Sequence, residues 1–360
     1  MARIYLDHAA TSPLRPEAKA AMEEGFALWA NPSSPHAEGR RARAALEDAR
    51  ERCKTALGWD GELIFTSGAS EALSIALQRA KVDRRIVSAV EHDAVFRAAP
   101  DAEVVPVAKV DFEYELDPDL LATALAKGGK PIVAMQAVNS ETGSQFGSFI
   151  RIKLIETVHD AGGLVVSDCS QSLGNPPPHG VDLAVYSAHK LGGPVGVGAL
   201  LVRDFAMLEP IGGHERGYRM GTENLPAALG FAAALEAGKA EPFDRGHHGA
   251  WQTSLEDQHA FKAQLWKAGE VLHYGDKSPH IIPVAHPTMS AQALLIRLDA
   301  MGFAVSAGSA CSSGSLKPSR VLMAFGVDED TARRTIRVSL GWNTTPEELD
   351  AFAETWRSLC

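Results

Sequence analysis

Lys190 follows directly on the apolar run VDLAVYSA and is itself followed by the turn LGGPVG. Burying a lysine at the end of a core strand favours its neutral amine, a nucleophile able to condense with an aldehyde. Read alone, it is equally a lysine that snorkels to solvent. Asp168 closes a second apolar stretch, LVVSD. A carboxylate there needs a cation or donor opposite it, or else it caps the next turn. In IFTSGASEALSIAL a strand is followed by Gly68, then by a helix opening near Ser70 and Glu71. Free N–H groups at such a start hold a phosphate well, although the same pattern is a common connector. Cys311 lies in SAGSACSSGS, where no packing demand calls for a thiol. It is either a spare thiol or a nucleophile. Taken together, a phosphate site, a strand-end aspartate and a strand-end lysine are the parts that hold pyridoxal 5'-phosphate (PLP). The helix takes the phosphate, the aspartate meets the pyridinium nitrogen and the lysine joins the aldehyde.

These side chains need a scaffold that brings strand ends together. Apolar runs at 62–65, 85–90, 103–107, 132–138, 164–168, 182–187 and 198–202 read as strands. Helical stretches are expected at 70–80, 117–127 and 150–161 between them. That alternation predicts an α/β fold with a mostly parallel seven-stranded sheet covered on both faces. Ligands of such a sheet gather along one edge. From about residue 37, Ala42, Leu46, Ala49, Cys53 and Leu57 form one helical stripe, so Cys53 reads as core. After about residue 240 the chain turns polar, then offers HIIPVAHP, AQALLIRLDAMG, TIRVSL and a final helix, TPEELDAFAETWRSL. This predicts a large domain over 13–240. A smaller α+β domain is predicted from 1–12 with 241–360, carrying the Cys311 loop.

The length, 360 residues, suits about two domains. A net charge of −10 supplies no basic face, which argues against nucleic acid as the main partner. The opening stretch has no apolar core of a secretory signal, and no run approaches the ~20 apolar residues of a membrane span. Cys53, Cys169, Cys311 and Cys360 lie far apart with no CxxC pair. Such spacing suits free thiols in a reducing, cytoplasmic setting.

The chain resembles the group I (NifS/IscS-like) cysteine desulfurases, within the class V aminotransferase family of fold-type-I PLP enzymes. The resemblance rests on YLDHAATSPL, NPSSPHAEGR, FTSGASE, EHDAV, VNSETG, SDCSQS, SAHK, ERGYRMGTEN, SAGSACSSGS and IRVSLG, in family order over nearly the whole chain. It implies that Lys190 is the Schiff-base lysine, that Asp168 pairs with the pyridinium nitrogen and that Gln171 bonds the phenolic oxygen. His92 would stack on the ring and serve in proton transfer. Ala69, Ser70, Ser187 and His189 would hold the cofactor's phosphate end, and Thr222 would reach it from the partner subunit of a homodimer. Asn139 and Arg337 would clamp the substrate carboxylate. Cys311 would take sulfur from L-cysteine as a persulfide, leave L-alanine, and pass the sulfur to an acceptor protein for iron–sulfur cluster or thio-cofactor assembly. No metal is implied.

The sequence departs from the family pattern at Ala72, Val195, His214, Met220 and Trp342, none of which has a named chemical role. Cys169 stands where the family has a small residue and reads as packing. Rival readings are a selenocysteine or cystine lyase, an aminotransferase on the same fold, and a non-enzymatic sulfur-assembly scaffold. An aminotransferase has no need of Cys311.

Overall fold

The computed structural model describes residues 3–110, 113–145, 148–239, 251–272, 276–308 and 317–360. Its larger sheet has seven strands: β1 (Glu62–Thr66), β2 (Arg84–Ser88), β3 (Glu103–Val105), β4 (Pro131–Gln136), β5 (Leu164–Asp168), β6 (Leu183–Ser187) and β7 (Gly198–Val202). Their order in space is β1–β7–β6–β5–β4–β2–β3. Strands β2 to β6 pair in parallel, whereas β7 runs antiparallel to both β6 and β1. The reversal follows from chain length. Only residues 188–197 join β6 to β7, too few for a parallel crossover, so the chain turns straight back. Lys190 sits in that turn and stays at the carboxyl edge of the sheet.

Successive side chains of the central strands enter two separate cores. Leu63, Phe65, Val133, Val165, Ala184 and Leu201 face one. Ile64, Ile132, Ala134, Val166, Val185 and Leu200 face the other. Both faces are covered, which is why these strands read as unbroken apolar runs. The first core is closed by the helices Ala37–Leu57 and Leu225–Lys239, the second by Ala69–Arg79 and Asp93–Ala98. All five stripe residues of Ala37–Leu57 are buried, Cys53 among them. The helix Leu225–Lys239 escaped the sequence reading for a physical reason. It is buried almost all round from Leu225 to Leu235, so it has no amphipathic stripe. The helix Pro16–Ala27 and the hairpin of Val107–Val110 with Glu113–Leu116 were likewise not anticipated.

A third core lies around the antiparallel strands β8 (Glu270–Val271), β9 (Ile281–Ala285) and β10 (Thr335–Ser339). Phe261, Phe303, Ile336, Phe352 and Trp356 fill it. The chain's start joins this body, because Ile4–Tyr5 pairs in parallel with Phe303–Ala304. The next residues then run back to the larger sheet, where the Ser12 amide donates to the His189 carbonyl at 2.7 Å.

Candidate active site

A cavity of about 820 Å³ lies where β1, β2, β4, β5 and β6 end. The carboxyl edge of an open α/β sheet is where such folds bind ligands. Strand β1 delivers Ser67 to Glu71, β2 delivers Glu91 and His92, β5 delivers Asp168 and Gln171, and β6 delivers Ser187, His189 and Lys190. Arg337 enters the same wall from β10.

Lys190 closes a short 3-10 turn, Ala188–Lys190, whose backbone is pinned from the chain's start. Ser12 Oγ donates to the Lys190 carbonyl at 3.2 Å, and Arg15 Nε to the Leu191 carbonyl at 3.2 Å. The turn needs glycine next: Gly192 has φ +88°, and a Cβ there would lie 2.6 Å from Arg15 Cγ. Burial pushes the Lys190 amine below its ordinary range. Asp168 opposes that shift and Arg337 adds to it. Asp168 lies at the end of β5, level with Gln136 of β4, and its Oδ1 accepts the Ser170 amide at 2.9 Å. Gln171 is buried and donates through Nε2 to the Ala9 carbonyl at 2.9 Å.

At the other end, the helix Ala69–Arg79 opens in the cavity wall behind Gly68 with no side-chain cap. Nothing lies within 4 Å of where a Gly68 Cβ would stand. Glu71 accepts the Ser67 amide and meets Arg219 Nε at 3.2 Å. Burial alone would raise Glu71, but these partners outweigh it and hold the carboxylate below the usual range. His189 Nδ1 lies 3.1 Å from Thr11 Oγ1, and burial followed by the Lys190 charge lowers its basicity.

Arg337 is buried and already busy. Nη1 donates to the Ser140 carbonyl at 2.8 Å and Nη2 to Asp7 Oδ1 at 2.9 Å, while Nε has no partner among the described residues. Asn139 stands outside the cavity wall. Its Oδ1 accepts the amides of Glu141 and Thr142 at 2.9 Å each, and its Nδ2 donates to the Val90 carbonyl at 3.1 Å. Asn139 thus shapes the turn, and Ser140 beside it lines the cavity. Thr222 is exposed and also lies outside this wall. Cys311 falls outside the described residues; Gly308 and Lys317, on either side of it, line the cavity.

Several wall residues carried no signal as isolated residues: Glu91, Ser140, Glu141 and Arg320. Glu91 is fully buried, and burial, with Asp168 nearby, raises its carboxyl well above the ordinary range. Glu91 and Glu141 belong to the quoted stretches EHDAV and VNSETG, which was the only trace of them. Of the departures, Trp342 is a clip: its Nε1 donates to the Pro13 carbonyl at 3.0 Å and Arg15 lies 4.9 Å over its ring. Cys169 is buried, its thiol pushed up to about 11, which suits packing.

These residues fit PLP. A lysine amine and a carboxylate share one wall, and an uncapped helix start with open space at Gly68 stands ready for a phosphate. The fold and wall therefore define a PLP enzyme of fold type I. The aminotransferase class-V family model matches residues 4–352, and the chain belongs to that family, which is PLP-dependent. Among curated relatives, a cysteine desulfurase of Cereibacter sphaeroides is 35% identical over 98% of this chain and 95% of its own length. The cysteine desulfurase IscS of Dictyoglomus turgidum is 35% identical over 96% of this chain and 92% of its own. A solved NifS-like protein from Rickettsia africae superposes with a TM-score of 0.84, covering 99% of both chains at 26% identity.

Proposed function

We propose that the chain is a PLP-dependent cysteine desulfurase, converting L-cysteine to L-alanine and keeping the sulfur as a persulfide on Cys311. The observation that carries this reading is the single wall shared by Lys190 in the turn after β6, Asp168 at the end of β5 and Arg337 in the middle of β10. Bound there, PLP supplies an aldehyde for the substrate amine and a cationic ring that takes up electrons from the α-carbon. Lys190 would hold the aldehyde, and burial, by lowering its basicity, favours the neutral amine that can take up a proton. Asp168 would meet the ring nitrogen and Gln171 the phenolic oxygen. Ala69, Ser70, Ser187 and His189 hold the phosphate end.

Arg337, held open by Asp7 and Ser140, takes the substrate carboxylate through its unpartnered Nε edge. The Cys311 thiolate attacks the substrate sulfur. A sulfur–sulfur bond forms as the carbon–sulfur bond breaks, and the carbon fragment keeps the electron pair, is protonated and leaves as alanine. The persulfide then exchanges with an acceptor thiol. The protein works as a homodimer in the cytoplasm, Thr222 reaching the partner's phosphate end. Residues 1–12 and 241–360 form the smaller domain. Among the described residues no helix is long and apolar enough to cross a membrane.

Cys311→Ser tests this directly. The variant should bind PLP and change its spectrum on adding cysteine, while alanine and sulfide production collapse together, because the thiolate is the attacking species. Cys53→Ser and Cys360→Ser should keep most activity. Alanine release at the wild-type rate from Cys311→Ser would hand the reading to a lyase or aminotransferase.

A further inference from the structure

We infer that Glu91 stands in the cavity wall as a neutral acid, keeping on Oε2 a proton that it offers to the bound molecule. The identity of that molecule rests on the desulfurase reading; the state of the carboxyl does not. Glu91 lies just beyond the end of β2, fully buried, and it lines the cavity. Its Oε1 accepts the Gln136 amide at 3.0 Å. Its Oε2 is buried and has no partner among the described residues. An ionised carboxylate has about four lone-pair sites to fill, and here it would receive one N–H. Burying the charge with neither a cation nor further donors is expensive. A neutral acid needs much less. Its carbonyl oxygen takes the Gln136 N–H, and its O–H is left to give.

The surroundings favour the same state. Arg320, on the helix Arg320–Ala324, passes close by but spends its donors elsewhere. Nη2 donates to the Glu91 backbone carbonyl at 2.6 Å and to Asp93 Oδ1 at 3.3 Å, and Nη1 to the Ala89 carbonyl. Its guanidinium lies 4.4 Å from the centre of the Phe96 ring. The backbone on both sides of Glu91 is thereby gripped, while the carboxyl itself meets no cation among the described residues. On the sheet side, Gln136 gives its Nε2 to the Val90 carbonyl at 3.0 Å and is level with Asp168 in the pairing of β4 with β5. The group beyond Gln136 is therefore a second carboxyl. Burial, followed by the Asp168 charge, raises the Glu91 carboxyl well above its ordinary range, and the Gln136 amide and Arg320 do not cancel that rise. Asp168 is only half-buried, so of the two it keeps the charge and Glu91 the proton. The wall then carries one negative charge there. A second would add to the pull of Asp168 on the Lys190 proton and work against the burial that frees the amine.

The test asks whether Glu91 carries a charge. The full chain is labelled with carbon-13 glutamate, and infrared difference spectra between wild type and Glu91→Gln are taken at pH 7, with and without PLP. They should contain the carbonyl band of a protonated carboxylic acid; a carboxylate band in its place would overturn the inference. A second readout is the pH midpoint of the bound cofactor's absorbance, which senses charge in the wall. Glu91→Gln exchanges one neutral group for another, so the midpoint should stay within about 0.3 unit of wild type, whereas losing a negative charge would lower it by roughly one unit. A fall beyond that margin would sink the proposal. Turnover reads the donor. Gln keeps an N–H near the place of Oε2, and Leu fills the space but donates nothing. Alanine release from Glu91→Gln should exceed that from Glu91→Leu by about 10-fold or more, the scale of one buried hydrogen bond left unmade. Equal rates would leave the proton without a task and overturn its role. If Glu91→Leu does not fold, the band and the midpoint still decide. If the wild-type chain makes no alanine from cysteine, the desulfurase reading fails, and the infrared band still decides the state of Glu91.

Discussion

Asp168 and Lys190 divide the work at the cavity by charge. Burial makes the Lys190 amine easier to deprotonate, and Asp168 pulls the other way. On the proposed reading that carboxylate would meet the ring nitrogen of bound PLP, where its charge would keep the nitrogen protonated. Asp168→Ala should still bind PLP but lose α-proton exchange in deuterated water by at least ~100-fold, the order expected for removing a preorganised electrostatic partner. Near-normal exchange would show that the ring needs no carboxylate. Asp168 was legible from sequence only together with Lys190 and the Gly68 turn, since a carboxylate at that strand end could equally cap the next turn, and its Oδ1 does accept the Ser170 amide. Ser140 was not, since a serine in a turn carries no sign of what it lines.

Two clips hold the elements that carry these residues. The loop bearing Thr222 is anchored by Glu215, buried and held at φ +46°. Glu215 forms a two-pronged pair with Arg50 at 2.6 and 3.0 Å and accepts the Phe65 amide at 2.8 Å. Glu215→Ala would leave the buried Arg50 with only the half-exposed Glu47 and the Leu63 carbonyl as partners. It should cost about 3–5 kcal/mol in denaturant unfolding, the scale for breaking one side of a buried pair. Arg50→Met with Glu215→Leu should recover part of that loss, and no recovery would mean that the Phe65 amide bond carries most of it.

The second clip is His8, buried between Ser12 Oγ at 3.0 Å and Thr344 Oγ1 at 3.3 Å. Burial lowers its pKa to about 4. Between about pH 6.5 and 4 the unfolded chain binds a proton there that the folded chain refuses, so stability is lost as pH falls through that window. The loss should approach roughly 3 kcal/mol, at ~1.4 kcal/mol per unit. His8→Asn, which does not titrate, should flatten the pH dependence by a similar amount; an unchanged slope would remove His8 as its source.

At the scale of the whole molecule, several large apolar side chains stand exposed among the described residues. Phe26 and Trp29 are 63% and 82% exposed, and Met220, two residues before Thr222, is 64% exposed. Such surface suits a partner subunit. On the proposed reading, each Thr222 of a two-fold dimer would serve the other chain's cavity. Lys190→Ala and Thr222→Glu dimers should each be inactive alone. On exchange of subunits about a quarter of the sites should regain both native residues, since half of the dimers are mixed and one site in each is intact. No recovered activity from two inactive variants would place Thr222 in its own chain's site, and a Thr222→Glu dimer active alone would place it in none.

The amino-acid sequence by itself determined the seven strands, their alternation with helices, and several of the side chains that meet in the cavity, Lys190, Asp168 and Gln171 among them. These are local signals: an apolar run, a charge at its end, a glycine before a helix. The reversal of β7 is implicit in the short link from β6, but pairing was needed to display it. Tertiary structure alone decided which turn residue faces the cavity. Asn139 and Ser140 are neighbours, and the bonds of Asn139 to Val90, Glu141 and Thr142 turn it away. It also decided that Arg320 grips the segment bearing His92, across 228 positions of sequence. Contacts of that separation depend on how two cores dock, and neither hydrophobic period nor residue type encodes that in any one stretch of chain.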